Sequence, residues 1–282
     1  MRIVVTGGRG MLGTDVCQVF RARREVFGFD ADDFDIADWR ETHQRLRNET
    51  PDLIVHCAGY TDVDGAETHE EKAFAVNAIG TRNVALVCQK LHIPMVYIST
   101  DYVFDGSRNT PYHEHDVANP LNVYGKSKLA GEEHVKNLLT RFYIVRTAWL
   151  YGRNGENFVY KVLKQASQNS TQKLRVVDDQ IGNPTYTTDL ARALDILINS
   201  ERFGIYHVTN NGFCSWYEFA KKILEQRGVQ MSVVPVDSDS LHQKARRPRF
   251  SALGNFSWQK AFGEPLRHWE DALKDFLRSI DL

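Results

Sequence analysis

Residues 2–13 decide the fold and read Arg2-Ile3-Val4-Val5-Thr6-Gly7-Gly8-Arg9-Gly10-Met11-Leu12-Gly13. An apolar run of strand length leads directly into the pattern G-x-x-G-x-x-G, formed by Gly7, Gly10 and Gly13, and an amphipathic helical pattern follows. Without Cβ atoms the turn can be tight and the backbone can approach a pyrophosphate closely. The helix N-terminus then offers free N–H groups to the phosphates. The stretch therefore predicts the first β-α unit of a dinucleotide-binding domain.

Apolar runs and helix-length stretches alternate through the first half of the chain. Strands are predicted at 2–6, 25–30, 52–57, 94–99 and 142–147, and helices near 11–23, 38–48, 67–91 and 122–138. Alternation of this kind with short connections predicts an α/β fold with a doubly wound parallel sheet of the Rossmann type.

The alternation of strands and helices becomes less regular after about residue 150. Strands are expected there at 174–177 and 204–208, between further helices. We expect a Rossmann domain that comprises 1–149 and 170–203. A smaller lobe, 150–169 and 204–282, is expected to rest on the carboxyl end of the sheet and to bind the substrate.

Composition excludes several classes of protein. The 282 residues carry 35 basic and 36 acidic side chains, a formal net charge of −1, which argues against a nucleic-acid binder. No apolar run approaches the roughly 20 residues that span a bilayer, and a strand pattern that starts at Arg2 leaves no room for a signal peptide. We therefore expect a cytoplasmic protein without a membrane partner. The four cysteines are far apart and no His-Glu-x-x-His is present, so no metal site is predicted.

An acidic residue follows the glycine loop near the spacing of about 20 residues at which a carboxylate binds the adenosine ribose. Asp30, which ends the strand predicted at 25–30, would accept hydrogen bonds from the ribose and repel a 2′-phosphate. It therefore favours NADH slightly over NADPH, and Arg9 is the nearby cation that could offset this preference. The alternative is that Asp30 only ends a strand and caps a turn.

Tyr124 and Lys128 are four residues apart in a predicted helix, so their side chains share one face. A free tyrosine has a pKa near 10, and the neighbouring ammonium is expected to lower it. Thr100 follows the strand predicted at 94–99, where it would face the cofactor crevice and donate a hydrogen bond to a carbonyl oxygen. The alternative for Thr100 is a hydroxyl that caps a helix or turn.

Longer motifs accompany these residues. They are 99–106 (STDYVFDG), 120–128 (PLNVYGKSK) with Gly131-Glu132, 146–152 (RTAWLYG), 179–185 (DQIGNPT), and Arg247-Pro248 with Ser251 and Leu253. In this order and spacing the chain resembles the extended short-chain dehydrogenase/reductase family. Within it, the resemblance is to the reductases that act on the C4 keto group of a dTDP-linked 4-keto-6-deoxysugar and form dTDP-L-rhamnose for polysaccharide synthesis.

The resemblance implies a role for each matching residue. The catalytic set would be Thr100, Tyr124 and Lys128. The residues that would bind NADH or NADPH are Gly7, Gly10, Met11, Leu12, Gly13, Asp30, Asp35, Ile36, Ala58, Gly59, Tyr60, Tyr124 and Lys128. The residues that would bind the nucleotide sugar are Asp101, Val103, Phe104, Trp149, Asn157, Thr185 and Arg247.

The chain departs from the family pattern where some members bind magnesium between two subunits. Asp15 stands where a longer glutamate is common, and Thr188 has no carboxylate. A magnesium site is therefore doubtful, and the protein is expected to be a monomer or a homodimer.

Two alternatives stay open. The chain could be another nucleotide-sugar 4-ketoreductase or an epimerase of the same family, and an epimerase would retain NAD through its cycle. It could also be a non-catalytic subunit like the regulatory subunit of methionine adenosyltransferase, which has no need of Thr100, Tyr124 and Lys128 together.

Overall fold

A parallel β-sheet carries the larger lobe of the protein in the computed structural model, which describes residues 1–168, 173–241 and 243–280. The strands are β1 (Arg2–Thr6), β2 (Glu25–Phe29), β3 (Leu53–His56), β4 (Met95–Thr100), β5 (Phe142–Thr147), β6 (Leu150–Tyr151), β7 (Leu174–Val177), β8 (Ile181–Gly182), β9 (Thr185–Tyr186), β10 (Gly204–His207), β11 (Cys214–Ser215) and β12 (Val233–Val236). The α-helices are α1 (Met11–Arg21), α2 (Trp39–Asn48), α3 (Val63–Thr68), α4 (Glu70–Phe74), α5 (Thr81–Leu91), α6 (Val123–Leu138), α7 (Phe158–Gln168), α8 (Thr187–Ile198), α9 (Trp216–Arg227), α10 (Phe256–Phe262) and α11 (Trp269–Arg278).

The sheet has six strands in the order β2-β1-β3-β4-β5-β10, and every neighbouring pair is parallel. Helices cover both of its faces, which confirms the predicted α/β class of the Rossmann type. The strand order reverses between β1 and β3, and in such sheets ligands bind in the crevice outside the carboxyl ends of the strands at this point.

The buried side of α1 attaches the glycine loop to the sheet. Leu12, Val16 and Phe20, four residues apart in sequence, are 7%, 0% and 0% exposed, as the helical stripe in the sequence predicts. They pack in one core with residues of β1 and of α8. Full burial of side chains of this size stabilises the fold by about 1.5–3 kcal/mol each, so the start of α1 is held firmly under the loop.

One long helix was predicted over 67–91, and that prediction is wrong. The segment contains the end of α3, then α4, then a π-helix over Ala75–Gly80, and finally α5. The chain breaks at His69, whose φ of −125° and ψ of 53° are not helical. Within the π-helix, Asn77 turns its amide to the backbone of Tyr60, accepting from the N–H at 2.8 Å and donating to the carbonyl at 3.0 Å.

The smaller lobe has a core of its own between α7, α9 and α11, beside the parallel pair of β7 and β12.

The predicted domain boundaries need correction in two places. Strand β10 was assigned to the smaller lobe but is the sixth strand of the sheet, whereas β7 was assigned to the Rossmann domain but packs in the smaller lobe. The predicted boundary between residues 169 and 170 lies outside the described residues.

Within the described ranges, no helix is both long and apolar enough to cross a membrane.

Candidate active site

A cleft of about 910 Å³ opens between the two lobes at the carboxyl ends of β1, β3 and β4. Most of the residues that the sequence selects line it together. They are Gly7, Gly10, Met11, Leu12, Gly13, Asp30, Asp35, Ile36, Ala58, Gly59, Tyr60, Thr100, Asp101, Tyr124, Lys128 and Trp149. The geometry therefore brings the glycine loop, the acidic residue after β2 and the Thr-Tyr-Lys set into one cavity.

The glycine loop has no room for side chains. Gly7 adopts a φ of +69°, and a Cβ there would lie 2.6 Å from the backbone nitrogen of Ala58. A Cβ on Gly13 would lie 1.9 Å from the carbonyl oxygen of Gly7. Helix α1 begins after Gly10 without a side-chain cap, so its first N–H groups are available to an anion. These features fit the pyrophosphate of a dinucleotide.

Charges surround the far end of the loop. The carboxylate of Asp30 accepts hydrogen bonds from the backbone nitrogens of Arg9, at 3.0 Å, and Ala31, at 2.9 Å. Asp30 thus follows the end of β2 and orders the turn, which is the structural role given above as the alternative. It also lines the cleft. The guanidinium of Arg9 is bound to Asp33 at 2.9 Å and approaches Asp32 at 3.5 Å.

Lys128 is buried at the inner end of the cleft. Its Nζ donates to the carbonyl oxygen of Ile98 at 2.6 Å and lies 4.2 Å from the centre of the Tyr97 ring. Burial lowers the pKa of Lys128 to about 7, and the negative charge of Glu132 opposes this shift. The lysine comes from the first half of α6, whose N-terminus is capped by Asn122.

The predicted lowering of the Tyr124 pKa is wrong. Burial raises the pKa of this phenol to about 12, a hydrogen bond with Thr100 lowers it, and the charge of Asp101 raises it further. The expected influence of Lys128 is missing because the ammonium is bound to the strand at Ile98. A raised pKa keeps the phenol protonated at neutral pH, which is the form that a proton donor requires.

Thr100 ends β4 and begins a short 3₁₀-helix, Asp101–Val103. Its hydroxyl donates to Asp101 at 3.0 Å and accepts from the backbone nitrogen of Tyr102 at 3.2 Å, so the capping alternative is correct as well. The other carboxyl oxygen of Asp101 accepts from Ser251 at 2.5 Å. Burial raises the pKa of Asp101 to about 7, and the hydrogen bonds from Ser251 and Thr100 oppose that shift.

The comparisons with known proteins identify the family. A family model described as the RmlD substrate binding domain matches residues 1–282. The chain belongs to this family. Among RmlD-family relatives, the spore coat polysaccharide biosynthesis protein SpsK of Bacillus subtilis is 41% identical over 278 residues, which is 98% of this chain and 97% of SpsK. The membership confirms the resemblance that the motifs predicted.

Two further relatives bear on the reaction. The dTDP-4-keto-6-deoxy-D-glucose reductase of Streptomyces niveus is 41% identical over 275 residues, or 96% of this chain and 95% of that protein. The crystal structure of dTDP-4-dehydrorhamnose reductase from Bacillus anthracis in complex with NADP superposes with a TM-score of 0.96. It is 38% identical and the match covers 99% of each chain.

Two of the predicted sugar contacts do not line the cleft. Val103 and Phe104 are fully buried in a cluster with Tyr112, on which the Phe104 ring stacks at 4.2 Å. The resemblance assigned these side chains to the sugar, whereas the fold uses them as core beneath the loop that carries Thr100 and Asp101.

Three other residues predicted to bind the nucleotide lie outside the cleft. Asn157 is buried, and its Nδ2 donates to the carbonyl of Gly152 at 2.8 Å. Thr185 is fully buried and donates to the carbonyl of Asn183 at 3.2 Å. Arg247 lies beside a second cavity, where its guanidinium holds Asp64 through two hydrogen bonds of 3.1 and 2.8 Å.

The sequence-based selection missed Trp216, which lines this RmlD-family cleft, and the buried Asn77, which supports a residue of its wall. Asn77 fixes the Tyr60 backbone and donates to Ser127 at 2.9 Å, beside Lys128. Trp216, the first residue of α9, lines the cleft and stacks on Trp149 with ring centres 3.6 Å apart. Trp149 itself has a φ of +46°, a strained value of the kind that clusters at functional sites. An aromatic residue directly after a helix-capping serine was the available signal for Trp216.

Asp15 is the residue at which the resemblance made a magnesium site doubtful. Its carboxylate accepts from the hydroxyls of Thr187, at 2.6 Å, and Thr188, at 3.0 Å. The described residues contain no group of three or more His, Cys, Asp or Glu side chains placed to hold a metal ion. The doubt about magnesium stays a prediction.

Proposed function

We propose that the protein reduces the C4 keto group of dTDP-4-dehydro-6-deoxy-L-mannose (dTDP-4-dehydrorhamnose) to give dTDP-L-rhamnose, a precursor for polysaccharide synthesis. The observation that carries the proposal is the position of Thr100, Tyr124 and Lys128, which line the same cleft as the glycine loop. The reductases among the relatives support the same chemistry.

The chain's own residues supply binding, orientation and a proton. NADH or NADPH, when bound along the glycine loop, supplies the hydride. Tyr124 donates its phenolic proton to the oxygen that becomes negative as the keto carbon is reduced. A sugar alkoxide is a much stronger base than a phenolate, so the protonated phenol of Tyr124 donates its proton to it readily. Thr100 holds the same oxygen, and the Lys128 ammonium stabilises negative charge in the buried site.

The direct test follows absorbance at the nicotinamide wavelength while the protein is mixed with dTDP-4-dehydrorhamnose and NADH or NADPH. We expect stoichiometric oxidation of the cofactor and formation of dTDP-L-rhamnose, identified by mass and NMR. Absence of cofactor oxidation with both nicotinamides would reject the proposed reaction.

A second substrate is supported by the relative from Streptomyces niveus, which is named for dTDP-4-keto-6-deoxy-D-glucose. Running the same assay with that sugar distinguishes the two. A higher kcat/KM for it than for dTDP-4-dehydrorhamnose would reassign the substrate while keeping the reaction type.

The assay also tests the remaining alternatives. An epimerase would interconvert two sugars without consuming added reductant and would retain NAD during purification. A regulatory subunit would bind the cofactor and reduce neither sugar. The structural match to the UDP-glucose 4-epimerase of Thermus thermophilus, 19% identical with a TM-score of 0.85, bears on the fold alone.

We propose that the protein uses both NADH and NADPH and slightly prefers NADH, because Asp30 lines the cleft where its carboxylate would repel a 2′-phosphate. Arg9 is the cation that would bind a 2′-phosphate. To do so, its guanidinium would release Asp32 or Asp33 and bind the phosphate instead. We expect Arg9→Ala to raise the KM for NADPH about tenfold, since one charge-assisted hydrogen bond is worth about 1.5–3 kcal/mol. The KM for NADH is the internal control, and an equal rise for both cofactors would contradict this role.

Arg247 remains our candidate for the nucleotide diphosphate. It approaches Tyr102, which lines the cleft, and a guanidinium pairs well with phosphate oxygens. We expect Arg247→Ala to raise the KM for the nucleotide sugar about tenfold while the cofactor dissociation constant stays unchanged.

Two matched variants separate binding from structure. Arg249→Ala removes a guanidinium that is 67% exposed, and Asp64→Asn removes the carboxylate partner but keeps Arg247. Both should leave the KM for the sugar close to wild type. If Asp64→Asn raised the KM for the sugar as much as Arg247→Ala does, the ion pair would act by supporting the local structure, and direct binding of the diphosphate by Arg247 would be rejected.

The cytoplasmic location, the monomeric or dimeric state and the remaining site roles stay predictions.

A further inference from the structure

A buried ion pair lies directly behind the predicted catalytic residues. Glu132 is 0% exposed and the Arg146 side chain 4% exposed, and they are joined by hydrogen bonds of 2.9 Å from Nε and 2.7 Å from Nη2. Ser99 donates to the same carboxylate at 2.6 Å. Three donors from β4 and β5 thus converge on one carboxylate of α6.

The position of Ser99 gives this contact its importance. Ser99 stands between Ile98, whose carbonyl accepts from the Lys128 ammonium, and Thr100, whose hydroxyl faces the cleft. Anchoring the Ser99 side chain therefore fixes the strand on both sides at once. A shift of the strand end would displace the lysine and the threonine together.

The charge of Glu132 also acts on Lys128, which precedes it by one helical turn. The other ionisable groups that face the ammonium are His56 and Cys57 at the end of β3 and Tyr97 on β4. Burial lowers the pKa of His56 to about 3 and raises the pKa values of the Cys57 thiol and the Tyr97 phenol, so all three are neutral around pH 7. Arg146 binds both oxygens of the same carboxylate, yet the charge that acts on Lys128 is that of Glu132.

We propose that Glu132 is a positioning residue of the active site: through Ser99 it aligns Ile98 and Thr100, and its negative charge stabilises the ammonium form of Lys128. The inference rests on the proposed reductase function.

The decisive variant is E132M/R146M. Replacing a buried ion pair with apolar side chains of similar size is commonly neutral or stabilising, whereas removing one partner leaves an unpaired buried charge. Loss of the carboxylate makes the protonated lysine less stable, so the pKa of Lys128 falls. We expect the alkaline limb of the kcat/KM profile to move to lower pH by about one unit or more. The unfolding temperature checks the fold.

Ser99→Ala tests alignment apart from charge, because the ion pair stays in place. We expect kcat to fall about tenfold while the alkaline limb stays at its wild-type pH, since small displacements of reacting groups are costly. A matched control is R24M/D195M, which removes an ion pair between α8 and the segment after α1, outside the cleft. It should keep both kcat and the pH profile.

The outcomes separate the two claims. A wild-type protein without reductase activity rejects the proposed function. An active wild type with a folded E132M/R146M variant whose pH profile is unchanged overturns the electrostatic role of Glu132. A wild-type kcat in Ser99→Ala overturns the alignment role. This test does not depend on whether E132M/R146M folds.

Discussion

Tyr124→Phe is expected to lower kcat by about 10²–10⁴-fold, the usual contribution of a general acid. The variant loses one oxygen atom from a half-buried side chain that lies beside Thr100 and edge-on to Tyr102, with ring centres 6.0 Å apart. The remaining ring keeps this packing, so the dissociation constants of NADH and NADPH should stay at wild-type values. Stopped-flow single turnovers would locate the loss in the chemical step rather than in product release.

Tyr206→Phe is the matched control for Tyr124→Phe. It removes a phenolic oxygen that donates to the carbonyl of Arg202 at 2.7 Å, away from the cleft. We expect a stability loss of about 0.5–1.5 kcal/mol and unchanged turnover. If Tyr124→Phe reduced the sugar at nearly the wild-type rate, Tyr124 would not be the proton donor.

Gly13→Ala is expected to weaken cofactor binding by about 100-fold or more, equivalent to about 2.8 kcal/mol. Alanine inside a helix is normally more favourable than glycine by about 0.8–1 kcal/mol, so helix propensity would predict a gain. The new Cβ, however, would lie 1.9 Å from the Gly7 carbonyl oxygen and 2.8 Å from its carbon. These are backbone atoms, so the glycine loop must move away from the position that receives the pyrophosphate.

Isothermal titration with NADH and NADPH measures this effect directly. Gly228→Ala is the control, since Gly228 ends α9 with a φ of +70° and a Cβ there would meet nothing within 4 Å. That variant should lose about 1 kcal/mol of stability and bind both cofactors normally. Wild-type affinity in Gly13→Ala would show that the loop tolerates the overlap and does not cradle the cofactor.

The sequence predicted the elements that are fixed by local pattern. The Val- and Ile-rich runs of β1 to β5 and the stripe of Leu12, Val16 and Phe20 each carry their periodicity within one segment. The glycine loop was predicted for the same reason, because its three glycines lie within one short segment. The assembly of the Thr-Tyr-Lys set in one cleft followed from the rule that parallel strands present their carboxyl ends at one edge.

The elements that were predicted wrongly depend on distant partners. The π-helix around Asn77 is stabilised by hydrogen bonds to Tyr60, and the residues 75–80 have an ordinary helical pattern. Strand β10 belongs to the sheet because it pairs with β5, although its local pattern fits either lobe. The pKa of Tyr124 likewise depends on burial and on where the Lys128 side chain turns, which helical spacing alone does not fix.

Neither lobe is one continuous piece of chain. After β5 the chain enters the smaller lobe, returns for α8 and β10, leaves again for α9, returns so that Trp258 packs against the sheet's core, and ends in α11 of the smaller lobe. No single cut yields an independently complete half. Engineers who wish to alter sugar preference therefore cannot transplant one contiguous module from a relative. They must graft several short segments at once.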